Sequence, residues 1–83
     1  MISLKERVKG LVRGYSAVSE ITDDMVIKDL IVDSLDYADF LCALEEWGIV
    51  ISYKTGLRLR QMSIAEFVNT CKSIRGAELG KDV

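Results

Sequence analysis

The sequence predicts an all-α fold: a bundle of four helices, the third of them short, with a long packed connection after the first. Three observations predict it. Apolar residues recur at helical spacing in three stretches, 4–15, 34–47 and 63–74. Each stretch begins beside a residue that suits a helix N-cap, namely Ser3, Asp33 and Ser63. The one strand-like run, Ile49-Val50-Ile51, has no second such run to pair with, so it reads as packed loop. At 83 residues the chain is a single domain, 1–83, with a necessarily small core.

The first helix is predicted over Leu4–Tyr15. Ser3 and Glu6 form a capping box, and Leu4, Val8, Leu11, Val12 and Tyr15 make one apolar stripe. Lys5, Arg7, Lys9 and Arg13 fall outside the stripe and read as a solvated basic face. Residues 16–33 form the long connection, with Thr22-Asp23-Asp24 capping a single turn through Ile27. A connection of this length has to pack. Val18, Ile21, Met25, Ile27, Leu30 and Val32 are its expected anchors.

The second helix follows Asp33, whose carboxylate can accept from the free amides of the first turn. At about 100° per residue, Tyr37, Phe40, Leu41, Leu44 and Trp47 share one face, and Gly48 stops the helix. The third helix is predicted over Tyr53–Leu59, weakened by Gly56. The last begins at Ser63, with Glu66 completing another capping box. Its stripe is Ile64, Phe67, Val68, Cys71 and Ile74, with Gly76 as its stop and 77–83 as a frayed tail. Cys71 therefore reads as a small buried apolar residue.

Composition excludes several classes of function. A net charge of −2 and a pI near 5.0 argue against nucleic-acid binding. No apolar run approaches the roughly 20 residues of a membrane span, and the charged start, Ser3-Leu4-Lys5-Glu6-Arg7, does not resemble a signal peptide. The expectation is a cytoplasmic, monomeric protein. With no histidine and only two cysteines, far apart in sequence, a zinc site and a Ser-His-Asp triad are excluded, and a disulfide framework is not expected. No residue is expected to be catalytic and no metal is expected.

What remains is the outer face of the second helix. Leu35, Asp39, Cys42 and Glu46 face away from the predicted core, flanked by Asp36, Ala38 and Glu45, with Ser34 at the head. No Lys or Arg occurs between Lys28 and Lys54. An acidic face with apolar inclusions and no interleaved cations reads as a docking surface for basic partners.

Asp33-Ser34-Leu35-Asp36, opening an acidic helix that ends in Leu44-Glu45-Glu46-Trp47-Gly48-Ile49, resembles the acyl carrier protein family, and the resemblance covers nearly the whole chain. It implies that Ser34 carries a covalent 4′-phosphopantetheine arm, moved from coenzyme A by a phosphopantetheinyl transferase. It further implies that the arm's thiol holds an acyl intermediate as a thioester for fatty-acid or specialised biosynthesis. Asp33, Leu35, Asp36, Ala38, Asp39, Cys42, Glu45 and Glu46 would meet the transferase and the loading and processing enzymes. The protein would be a stand-alone carrier, not itself an enzyme, because without histidine it has no base to activate the hydroxyl.

Two departures from the family pattern stand out. Ile31 occupies a place where many members have glycine, and Lys54, Arg58 and Arg60 make the third-helix region basic. Both tilt the expectation toward a specialised pathway. Trp47 and the other core aromatics would shorten any space for cargo between the helices. Two alternatives stay open. One is an aminoacyl or peptidyl carrier, although an acid flanking the serine on both sides favours the acyl type. The other is a helical interaction module that is never modified.

Overall fold

The computed structural model describes the backbone of residues 2–81 and the side chains of residues 2–74. Among the described residues the chain is all-α, with five helices: α1 (Leu4–Arg13), α2 (Ile27–Leu30), α3 (Ser34–Glu46), α4 (Tyr53–Leu59) and α5 (Ile64–Lys81). The four predicted helices are α1, α3, α4 and α5. The fifth, α2, lies inside the long connection.

Local chemistry accounts for most of the boundaries. Ser3, Asp33, Ser52 and Ser63 each accept a hydrogen bond from an amide of the helix that follows, which satisfies donors that a helix start leaves free. At the end of α3, Gly48 adopts φ +84°. The Gly48 amide then donates to Glu45 O at 3.0 Å and the Ile49 amide to Leu44 O at 3.1 Å. This paired closure turns the chain sharply and buries Ile49. A side chain at that φ is strained, so Gly48→Ala is expected to cost about 1 kcal/mol in urea unfolding with little change in helix content.

Two predicted ends move. α1 ends at Arg13, and Gly14 and Tyr15 continue as a tighter turn through bonds to Leu11 O and Val12 O. α5 runs through Gly76 to Lys81, so the predicted stop at Gly76 is corrected. One glycine costs a helix only about 1 kcal/mol, and the Ala77-Glu78-Leu79 that follows is a strong helix former. Residues 82–83 of the expected tail lie outside the described residues.

The core joins Val8 and Val12 of α1, Tyr37, Phe40 and Leu44 of α3, and Ile64, Phe67, Val68 and Cys71 of α5. Leu41 and Trp47 pack against it half-buried. α1 packs along α5.

The long connection is held by backbone bonds as much as by side chains. Val26 pairs with Ser63 as a single antiparallel bridge. Around it the Ile27 amide donates to Met62 O at 3.0 Å, Lys28 to Arg60 O at 3.0 Å, Ile64 to Met25 O at 2.8 Å and Ala65 to Asp23 O at 3.1 Å. The last two bonds satisfy free amides at the start of α5. Because Val26 is extended (φ −91°, ψ 136°), no helical turn can run from Thr22 to Ile27, and the helix starts at Ile27 instead.

Of the expected anchors, Ile21, Ile27 and Leu30 are buried, whereas Val18 and Val32 are exposed. Ile31 is fully buried in place of Val32.

The basic face of α1 is more occupied than its sequence suggests. Lys5 and Lys9 both reach Asp23, at 2.9 and 2.6 Å. The hydrogen bond from Lys5, then that from Lys9, holds the Asp23 carboxyl down at about 2. The Arg7 guanidinium lies 4.3 Å from the centre of the Trp47 ring. Arg13 Nε donates to Ser19 O at 3.2 Å.

Gly56 has a different role from the one its helix propensity suggests. A Cβ there would come within 2.7 Å of Leu41 Cδ1, and Tyr37 Oη donates to Gly56 O. The glycine lets α4 seat closely on α3.

Candidate functional site

The candidate site is the tip where the connection turns into α3. Asp33 is extended (φ −76°, ψ 130°), and its Oδ1 accepts from the Leu35 amide at 2.7 Å and the Asp36 amide at 3.3 Å. Ser34 is the first helical residue and is exposed. Among the described residues no protein group hydrogen bonds its hydroxyl. The chain has no imidazole, and Asp33, its neighbour in sequence, uses Oδ1 for the cap, so no base is paired with this hydroxyl among the described residues. It is available to an outside reagent and inert by itself.

The neighbouring apolar side chains do not fold back over it. Val32 is 73% exposed and Leu35 79% exposed. Burying such residues releases favourable free energy, so a large exposed aliphatic pair beside one hydroxyl suits contact with another molecule. The docking residues expected from the sequence, Asp33, Leu35, Asp36, Ala38, Asp39, Cys42, Glu45 and Glu46, are all exposed. Leu35, Ala38, Asp39, Cys42, Glu45 and Glu46 share the outward face of α3, while Asp33 and Asp36 flank its start.

Their charges are not equally free. Asp33 is spent on the cap. Asp39 Oδ2 accepts from Tyr15 Oη at 2.7 Å, a bond that ties α1 to α3 and is the leading cause of the Tyr15 hydroxyl being pushed up to about 12. Asp36, Glu45 and Glu46 form no ion pair or side-chain hydrogen bond among the described residues. The unengaged negative charge therefore sits at the two ends of α3. Cys42 is an exposed free thiol, and Cys71 is a buried one that burial pushes up to about 12.

Sequence reasoning missed three features of this tip. Ile31 anchors it from inside the core. Arg60 Nη2 donates to Val32 O at 2.6 Å. Tyr15, which lies in the predicted core stripe of α1, also reaches Asp39 with its hydroxyl. Only the last had a visible signal, since a tyrosine at the end of an apolar stripe usually takes its hydroxyl to a partner.

Among the described residues no pocket opens between the helices, and no helix is long and apolar enough to cross a membrane. Searches for similar proteins find no matching family, curated protein or solved structure.

Proposed function

We propose that the protein is a carrier of the acyl carrier type, with 4′-phosphopantetheine attached through Ser34 Oγ. The observation that carries this reading is the Ser34 tip. It is a solvent-facing hydroxyl without an internal base, on the first residue of a capped 13-residue helix. The residues present fit the group. A phosphodiester on Ser34 would lie at the positive pole of α3, where anions are favoured. The exposed Val32 and Leu35 leave room around it.

The arm would bring a terminal thiol able to hold an acyl group as a thioester, and a tether that raises the cargo's local concentration at successive enzymes. This chain's own part is to hold Ser34 at the tip and present the outward face of α3. Leu35, Ala38 and Cys42 would supply apolar contact, and Asp36, Glu45 and Glu46 the charge that draws in basic partners. Such contacts are weak and salt-screened, which suits rapid exchange between enzymes. The packed aromatic core around Phe40 favours small cargo, or cargo left outside the helices.

Incubation with coenzyme A, Mg²⁺ and a broad-specificity phosphopantetheinyl transferase tests the reading. Intact mass should rise by about 340 Da, the mass of the arm. Peptide mapping should place the gain on Ser34, and Ser34→Ala should abolish it with the fold intact by circular dichroism. If mass stays unchanged with several competent transferases, the reading fails and an unmodified helical interaction module is left. Once the arm is on, the class of ligase that charges the thiol separates acyl from aminoacyl cargo.

A further inference from the structure

We infer that Arg60, at the far end of α4, is a positioning residue for the Ser34 tip. This inference rests on the reading of Ser34 given above, but its geometric part stands apart from it. Three residues, Ile31-Val32-Asp33, link α2 to α3, and each is held differently. The Ile31 side chain is fully buried, and Asp33 is fixed by its cap. Val32 turns its side chain to solvent at 73% exposure, so its packing contributes little. What fixes its peptide is the carbonyl, which accepts from Arg60 Nη2 at 2.6 Å. Charged donors make shorter and stronger hydrogen bonds than neutral ones. This one acts on the peptide that joins Val32 to the cap residue, directly ahead of Ser34.

Arg60 is itself well placed to act as a fixed point. Its amide donates to Gly56 O at 3.0 Å, and its carbonyl accepts from the Lys28 amide at 3.0 Å. Its guanidinium carbon lies 5.5 Å from the centre of the Tyr37 ring. The Tyr37 hydroxyl donates to Gly56 O, so ring, guanidinium and the close α3–α4 seat form one unit.

One detail argues against a merely solvated cation. Arg60 Nε is buried with no hydrogen-bond partner. A leucine or lysine at this position would carry no such orphan, and buried unpaired donors are costly. The arrangement is understandable if the guanidinium is kept for what its far end holds. A transferase binds only molecules whose tip is correctly placed, so the apparent affinity falls with the fraction so placed. Loss of the clamp should therefore appear in KM and leave kcat largely unchanged.

The test compares wild type, Arg60→Ala, Arg60→Gln and Val68→Ala as apo-protein substrates for the transferase, at a temperature where each is folded by circular dichroism. Val68 is buried on α5, which carries none of the clamp's hydrogen bonds, and its truncation loosens the core. Arg60→Ala should raise KM about tenfold, the weight of one charge-assisted hydrogen bond. Arg60→Gln should raise it several-fold, and neither should change kcat much. Amide exchange at Leu35 and Asp36 should quicken in the same order. Val68→Ala should melt lower than wild type yet keep its KM and its exchange at those two amides.

The inference is overturned if the folded Arg60 variants load and exchange as wild type does, or if Val68→Ala shows the same rise in KM. Should Arg60→Ala fail to fold, Arg60→Gln decides on the same criteria. If wild type accepts no arm, the reading of Ser34 fails instead, and the exchange rates of Leu35 and Asp36 alone decide the clamp.

Discussion

Phe40→Ala is expected to remove about 4 kcal/mol of stability. Phe40 is fully buried at the centre of α3. Its ring meets Tyr15 of the turn after α1 edge-on at 6.2 Å, Tyr37 of its own helix in a stack at 6.1 Å, and Phe67 of α5 at 5.5 Å. Helices α3 and α5 and the turn after α1 therefore converge on one side chain, and the arrangements are those that aromatic pairs prefer beyond simple area burial. Truncation leaves a hole that neighbours on three separate segments cannot all collapse into.

A chain of this size is held by a net stability at the low end of the usual range of about 5–15 kcal/mol. The loss would thus consume most of it and lower the melting temperature by about 20 °C or more. Urea titration followed by circular dichroism reads the effect directly. Val68→Ala, which removes less from the same core, should cost about half as much. A Phe40→Ala loss below about 2 kcal/mol would mean that the aromatic cluster is not where α3, α5 and the turn after α1 are joined.

The centrality of Phe40 was legible in the sequence, and the reason is physical. Tyr37, Phe40 and Leu44 repeat at the period of a helix whose start is marked by Asp33 and whose end is marked by Gly48. Cap, stripe and stop are local signals that agree with one another, so α3 and its exposed face follow from residues 33–48 alone. The placing of Ser34 on the first turn came from the same signals.

The course of the long connection was not legible. Its path is set by backbone bonds between residues 23–28 and 60–65, and a peptide group's partner leaves no trace in side-chain periodicity. The run Leu30-Ile31-Val32 is uniformly apolar, so nothing in it says that Ile31 goes in and Val32 goes out. Arg60 looks like one more cation in a basic segment, and Gly56 like a weak spot in a short helix. Each acquires its meaning only when α4 is seated on α3. The acidic face was read as one uniform surface because neither the tie from Tyr15 to Asp39 nor the capping bonds of Asp33 can be counted as spent charge until the helices are packed.

The same packing gives the protein a steep alkaline limit. Burial pushes the Tyr37 hydroxyl up to about 12 from 10.0, and pushes the Cys71 thiol up to about 12 from 9.0. The hydrogen bond to Asp39 is the main reason that Tyr15 also rises to about 12. In all three the folded state favours the neutral, protonated form. The stability this represents is complete below the unfolded pKa of each group and is lost as pH rises toward the folded one. Cys71 begins to withdraw support above pH 9, and the two tyrosines above pH 10.

Each pH unit between unfolded and folded values is worth about 1.4 kcal/mol. At pH 11 Cys71 and Tyr37 together therefore remove about 4 kcal/mol, comparable to the whole net stability. Helix should disappear cooperatively between about pH 10.5 and 12. The tyrosinate absorbance of Tyr37 should appear in the same step, because its hydroxyl does not ionise until its packing opens.

Cys71→Ala separates this linkage from general alkaline damage. At pH 7 it leaves a small cavity and should cost about 1 kcal/mol. At pH 11 it has no thiol to ionise and should be the more stable of the two. The two curves of stability against pH must then cross. If they run parallel, or if Tyr37 ionises while the helices remain intact, burial is not what holds Tyr37 and Cys71 neutral and the packing of α3 on α5 is looser than the buried Phe40, Phe67 and Cys71 require.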